Sequence, residues 1–483
     1  MKYWFFIAEN DNVFVWKNLG KMYKKGNIVP KDIKKAVHYY KLAADKNDLD
    51  AQYNLGKLNY REKYGILNID DAIKYLTFAS DKNHPKAQLY LAFIYETDEY
   101  NKLDIKKAIH YYELAADKNI IDAQFNLGLI YESDENNVQD IDKSIHYYKL
   151  AANQNDTEAQ LNLAEIYFNE QYDVYDFEKG MHYLSLSAEQ NNSDAQLKLG
   201  EIYLDDESDI YDFEKGMHYL MLSAEQNNAD AQLKLGEIYL DDESDVYDIN
   251  KAIQYLTLSA DQNNADAQLK LGEIYLDDEL DTYDFEKAMH YLSLSAEQNN
   301  SDAQFNLGEI YLDDELDVYN TEKAIHYLSL SADQNNIDAQ LKLGELADID
   351  LSIYYYKLAA DQDSSDAQYN LGLIYESDEY GVQDFEKAIH YYELAANNND
   401  QEAQLNLGEI YKEGELVDFN ILKSIHYYKL AADQNIMEAQ YNLGLIYESS
   451  KYGVQDSQKA VNYWKLAADQ GDKYSQYQLG LFY

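Results

Sequence analysis

The chain has 483 residues, 89 acidic against 40 basic side chains, a net charge of −49 and no Cys. Disulfides and Cys-ligated zinc or iron–sulfur sites are thereby excluded, and nucleic acid or an anionic membrane surface would repel such a polyanion. With 46% hydrophobic residues and only 2 Pro, core-forming side chains are ample and helix breakers scarce.

At the start, the apolar run Tyr3–Ala8 is too short for a membrane span, which needs about 20 residues. Glu9 and Asp11 follow where a signal peptide needs small residues, so the run reads as part of the fold. No later window is apolar enough for membrane insertion. The expectation is a soluble intracellular protein, in the cytoplasm of a cell or host cell.

From residue 51 onward the dipeptide Ala-Gln recurs. It stands at Ala51, Ala87, Ala123, Ala159, Ala195, Ala231, Ala267, Ala303 and Ala339, always 36 residues apart. The next step, to Ala367, is 28 residues, after which 36 returns at Ala403, Ala439 and Ser475. A fixed period of this size predicts a solenoid in which each unit buries its core against its neighbours.

Each unit reads as two helices. In the first, Ala195, Leu199, Ile202 and Tyr203 share one face. Gly200 there lets a neighbouring helix approach closely. In the second, Ala388, Tyr391, Tyr392, Ala395 and Ala396 form a stripe, and Asp384 is placed to cap the free N–H groups. Small Ala facing large Tyr close-packs an antiparallel pair. The period predicts an all-α solenoid divided as follows: a half-repeat cap at 1–14, nine repeats over 15–338, a truncated 28-residue repeat at 339–366, three repeats over 367–474, and a half-repeat at 475–483. Residues 1–10 fall in the register of a second helix. The three Trp, Trp4, Trp16 and Trp464, lie in terminal repeats, as array caps or as an aromatic patch.

The array is uneven. Residues 151–400 hold 56 acidic and 11 basic side chains, so the acidity is a central block. The units beginning at Ala195 and Ala231 agree at 28 of 36 positions, which stacks nearly identical surfaces side by side. In the 28-residue unit the missing eight residues come from the end of the first helix and the inter-helix loop, with Ala347 where the core Tyr belongs. Something near Leu346–Leu351 must shorten or bend. The deletion is either a tolerated loss or a functional break between two blocks.

The pattern A-Q-x-x-L-G-x-I-Y, then G-V-x-D-x-x-K-A-x-x-Y-Y-x-x-A-A, resembles the Sel-1-like repeat, a relative of the tetratricopeptide repeat. The fullest match runs from Ala367 to Asn399, with Leu371, Gly372, Tyr375, Gly381, Val382, Asp384, Lys387, Ala388, Tyr391, Ala395 and Ala396. The resemblance covers essentially the whole chain as thirteen helix pairs. It implies a right-handed superhelix and a non-enzymatic scaffold or adaptor role in protein complexes. The wording, rich in Asn, Ile, Lys, Tyr and Asp, is similar in style to Sel-1-like proteins of large DNA viruses of amoebae. Central units depart from the family's Gly-rich loop, carrying Asp205-Asp206-Glu207-Ser208-Asp209 or close variants, which predicts a different loop conformation.

Catalytic motifs are missing: there is no G-x-S-x-G, H-E-x-x-H or P-loop. His38, His110, His146, His182, His218, His290, His326, His390 and His426 come one per unit, with His84 before Pro85. A metal needs three or four converging ligands, so no metal site and no cofactor are expected. The Asp-rich loops Asp205–Asp209, Asp241–Asp245, Asp277–Asp281 and Asp313–Asp317 lack the ligand order of an EF-hand. They stand as solvated turns or, in an alternative reading, as weak divalent-cation sites.

One further pattern repeats. Opposite the core face of the first helix stand Leu197, Glu201 and Leu204, then Leu233, Glu237 and Leu240, then Leu269, Glu273 and Leu276, then Phe305, Glu309 and Leu312. In tetratricopeptide-like superhelices this face lines a concave groove, and an apolar stripe edged with carboxylates suits a basic amphipathic segment of a partner protein. Alternatively the apolar members pack against the neighbouring first helix.

Overall fold

A computed structural model of the chain describes residues 12–60, 67–134, 137–242, 246–414 and 418–482. The described residues contain 27 α-helices, one 3-10 turn at Ser450–Tyr452 and no strand. They group into two compact units, Met1–Leu235 and Gly236–Tyr483, and one helix-pair pattern runs through each.

A representative pair is Ser193–Leu204 followed by Phe213–Glu225. Asn192 caps the first helix, its side chain accepting from the Ala195 N–H at 2.9 Å. Asp212 caps the second by accepting from the Lys215 N–H at 3.1 Å. The expected cap at Asp384 is present in the same form, with the Lys387 N–H at 3.1 Å. The chain returns from each second helix through one residue in the left-handed region, for instance Asn191 at φ 63° and Asn335 at φ 65°. Asn tolerates that conformation better than any other residue but Gly, so the recurring Asn ends the helix sharply.

The core lies between the two helices of a pair. Ala195, Leu199, Leu220 and Ala267 are fully buried. Gly128 shows why a glycine follows that leucine: a Cβ there would stand 2.4 Å from the Tyr148 ring.

The Gln of each Ala-Gln pair is buried as well, and in most pairs it is bonded at both ends. Gln196 Nε2 donates to the Ala188 carbonyl at 3.0 Å, while its Oε1 accepts from Gln226 Nε2 at 2.6 Å. The same two bonds recur at Gln304, with Ala296 at 3.2 Å and Gln334 at 2.8 Å. A polar ladder therefore threads the core and joins successive pairs. At the N-terminal end the partner position holds Lys82 or Lys118 in place of Gln, and the Oε1 atoms of Gln52 and Gln88 are left without a partner among the described residues.

The connection between the helices of a pair comes in two forms. Outside the centre it passes through a left-handed residue, such as Asn101, Asn137, Gly381 or Gly453. In the Asp-rich connections 205–212, 277–284 and 313–320 no residue has positive φ. Successive tight turns replace it, with the Ser208 N–H on the Asp205 carbonyl and the Tyr211 N–H on the Ser208 carbonyl. The departure from the Gly-rich loop is thus a real change of backbone path.

In the short unit the first helix, Ile337–Leu346, is 10 residues long where its counterparts have 12, and only Ala347 and Asp348 separate it from Ile349–Ala360. The deletion is absorbed mostly by the connection. Of the terminal features, the N-terminal run with Trp4 lies outside the described residues. Trp16 and Trp464 are buried, whereas Tyr474, Tyr477 and Leu481 of the last helix are exposed.

Candidate partner-binding face

The repeated Leu–Glu–Leu positions fall on the first helices, as the spacing requires. Leu197 and Leu204 are half-buried and Glu201 is exposed. Leu204 leans on the second helix of its own pair, where a Cβ built on Gly216 would lie 2.5 Å from its Cγ. Leu233, Glu237 and Leu240 are all half-buried on the helix Ala229–Leu240. Leu269 is buried in the core with Leu292, Ala296 and Leu307, and Leu276 packs at its edge. Phe305 and Leu312 pack against Leu328, Ala332, Ala339 and Leu343.

Within the unit Gly236–Tyr483, members of successive trios come together at two adjoining clefts. One, of about 550 Å³, is bordered by Leu276, Tyr283, Phe285, Glu309, Leu312 and Lys342. The other, of about 330 Å³, is bordered by Glu273, Leu276, Phe305 and Glu309. Leu276 and Glu309 belong to both, so the two clefts form one interrupted groove. Leu197, Glu201 and Leu204 belong to the other compact unit.

The glutamates on this face are not bare. Lys342 Nζ lies 3.0 Å from Glu309 and 3.8 Å from Glu345, Lys270 lies 2.9 Å from Glu273, and Lys198 lies 2.8 Å from Glu165. The hydrogen bond that Lys342 donates to Glu309 is the first cause that raises the Lys342 pKa. Such half-exposed pairs contribute little to stability, and an incoming cation can replace the lysine. For Lys270–Glu273 and Lys342–Glu345 the signal was in the sequence as K-L-G-E, which puts Lys three residues before Glu on one helix face.

The four connections 205–212, 241–248, 277–284 and 313–320 contain no Lys or Arg. Their leading aspartates cap local backbone: Asp205, Asp277 and Asp313 accept from Glu207, Glu279 and Glu315 N–H groups at 3.1, 2.9 and 2.9 Å. Residues 243–245 of Asp241–Asp245 lie outside the described residues. Among the described residues, no three His, Asp or Glu side chains form a group able to hold a metal ion. His110, His182 and His390 each lie against the neighbouring tyrosine of their own helix, and His84 caps a helix by accepting from the Ala87 N–H at 3.2 Å.

A recurrent aromatic brace holds most of the pairs. Tyr203 and Tyr219 stack at 6.0 Å, and Lys215 Nζ sits 5.3 Å from the Tyr203 ring. Tyr311, Tyr327 and Lys323 repeat it at 5.8 and 4.8 Å. The K-A-x-x-Y spacing therefore serves packing, which leaves the first-helix face as the candidate site.

The Sel1 repeat profile matches the chain over residues 17–48, 49–84, 85–120, 121–156, 157–192, 193–228, 229–264, 265–300, 301–336, 338–364, 365–400, 401–436 and 438–472. The chain belongs to the Sel1 repeat family. Among solved structures it is similar to a protective antigen of uropathogenic Escherichia coli strains that displays an SLR fold. That match has 28% identity and a TM-score of 0.56, and covers 84% of this chain and 89% of that one. A Sel1 repeat protein from Oxalobacter formigenes is similar at 26% identity and a TM-score of 0.56, covering 64% and 90% of the two chains. No curated protein matches the chain. Sel1 repeat proteins are generally protein-interaction scaffolds and typically non-catalytic. Among the described residues, no helix is long and apolar enough to cross a membrane.

Proposed function

We propose that the chain is a non-enzymatic scaffold or adaptor whose first-helix face in the central repeats receives a basic, amphipathic segment of a partner protein. The observation that carries this reading is the pair of adjoining clefts sharing Leu276 and Glu309. Apolar walls supply affinity by burial, and Glu273 and Glu309 exchange their lysine partners for cations of the ligand. The division into 1–14, 15–338, 339–366, 367–474 and 475–483 is part of this reading. It gives the nine-repeat block the groove and sets the short repeat at its edge.

Co-purification from native material supplies the partner for the test. Replacing Leu276 and Leu312 with Ser should raise the off-rate. Replacing Glu273 and Glu309 with Gln should slow association and flatten its salt dependence, because screening removes steering beyond the Debye length. A partner that binds both variants as it binds the parent chain ends the groove reading.

A further inference from the structure

In the flanking pair 121–152 a buried tyrosine hydroxyl is satisfied on both sides. Tyr148 donates to Glu132 Oε2 at 2.7 Å and accepts from Asn162 Nδ2 at 2.9 Å. Glu132 is the last residue of the first helix, and Asn162 comes from the next pair. The short unit keeps two members of this triad, Tyr356 and Asn370, at the same 14-residue spacing. It loses the third. The acid in register with Glu376 is Asp348, and Asp348 has become the cap of the following helix, accepting from the Leu351 N–H at 3.2 Å.

The consequence is a cleft of about 530 Å³ beside the deletion. Tyr356 lines it although the residue is only 6% exposed, its ring against Gly344, and among the described residues no side chain takes the place of the lost glutamate at its hydroxyl. Asn370 lines the same cleft, as do Ile349, Leu373 and Ile374, with Glu345 at the rim. The size is that of a small-ligand pocket.

We propose that this cleft is a socket for a primary carboxamide, a glutamine or asparagine side chain carried on an apolar segment of a partner protein. An amide carbonyl supplies the acceptor that Tyr356 and Asn370 lack, and the amide NH₂ donates to Glu345. A carboxylate would supply the acceptor too, but it would stand against Glu345 with Glu376, Asp378 and Glu379 close by in sequence. A guanidinium would answer Glu345 and leave the donors of Tyr356 and Asn370 unanswered. The flanking apolar side chains would lie on Ile349, Leu373 and Ile374. The socket rests on the reading of the chain as a protein-interaction scaffold, but not on its Leu–Glu–Leu face.

The test titrates the full chain with the tripeptide acetyl-Leu-Gln-Leu-N-methylamide, whose only primary carboxamide is the Gln side chain, and with versions carrying Glu, Arg or norleucine in the middle, followed by saturation-transfer NMR. The glutamine peptide should bind about fivefold tighter than the norleucine peptide, the scale of one net hydrogen bond. Tyr356→Phe should remove about that factor, and Asn370→Ala should also weaken binding. Tyr356→Phe breaks no existing hydrogen bond, so thermal melting should be unchanged. Tyr148→Phe should leave peptide binding as it was. Equal binding of all four peptides, a preference for Glu or Arg, no binding at millimolar peptide, or a Tyr356→Phe chain that binds like the parent would each overturn the socket. A native partner lost by Leu312→Ser but retained by Tyr356→Phe would overturn the socket and leave the groove standing. A glutamine peptide held by Tyr356 with the groove variants silent would do the reverse.

Discussion

The helix pairs on either side of the array close with a polar contact, whereas the central pairs close with an apolar one. In 85–116 and 365–397 the first helix ends on Glu, and a buried Tyr of the second helix donates to it: Tyr112 to Glu96 and Tyr392 to Glu376, each at 2.5 Å. In 193–225 and 265–297 the same two positions hold Leu204 with Leu220 and Leu276 with Leu292. The exchange also runs between pairs. Ser295 Oγ in the centre donates to the Ala265 carbonyl at 2.8 Å, where flanking pairs have Ala395 or Ala431. One arrangement of paired helices thus accepts two side-chain solutions, and each works only as a set. Mixed sets show the cost. Where Lys412 replaces the Glu, the Tyr428 hydroxyl is buried without a partner among the described residues, and where Trp464 replaces the Tyr, Trp464 Nε1 and Glu448 Oε2 are both orphaned among them.

The harshest way to break the comparison is to empty the central contact. Leu292 is fully buried against Gly272. Leu292→Ala should cost roughly 2–5 kcal/mol, the range for large-to-small core changes. Chemical denaturation with hydrogen exchange should show the loss centred on 265–312 and spreading to adjacent pairs, since each pair is stabilised by its neighbours. A change below about 1 kcal/mol would mean that the apolar solution carries little of the local stability.

A smaller effect sharpens the comparison in the flank. Glu376→Leu alone leaves the fully buried Tyr392 hydroxyl without its carboxylate and should cost about 1–3 kcal/mol. The double change Glu376→Leu with Tyr392→Leu copies the central pair and should recover at least half of that loss. Additive single losses in the cycle would show that the two positions do not act as a set.

Much of this architecture was legible in the wording of the chain. The 36-residue step located the pairs, and Asp384 and its equivalents marked where second helices begin. The Gln ladder was not legible, because a polar residue beside a core Ala reads as a surface position until its partner 30 residues away is known. The lysine partners of Glu165 and Glu309 were hidden for the same reason, being 33 residues distant and set by how pairs stack. Leu204, Leu276 and Leu312 show the limit most plainly. Their spacing placed them on the face opposite Ala195 and Leu199, but side chains at a helix end also reach along the hairpin, and whether such a residue is wall or core is decided by packing. The socket at Tyr356 was invisible because it is made by a missing residue.

The least effect expected is on pH, and it separates the two solutions by titration. Burial pushes the Glu96 and Glu132 carboxyls up, against the opposing pull of the Tyr112 and Tyr148 hydrogen bonds. A carboxyl raised on folding holds its proton better in the folded state, so stability is gained below the unfolded pKa and lost as pH rises through the folded one. The cap aspartates go the other way. Backbone and lysine hydrogen bonds hold Asp104, Asp140, Asp176 and Asp384 down, so their contribution is present above the unfolded pKa, about 3.9, and is lost as pH falls through the folded value. The melting temperature should therefore rise by a few degrees as pH falls from 7 towards the unfolded glutamate value, about 4.3, helped by relief of self-repulsion in a chain of net charge −49, and fall below about pH 4. Replacing Glu96, Tyr112, Glu132 and Tyr148 by Leu should flatten part of the rise and leave the acid limb alone, because leucines do not titrate and the caps are untouched. A rise that survives the fourfold change in full would assign it to net charge and remove the buried glutamates from the account.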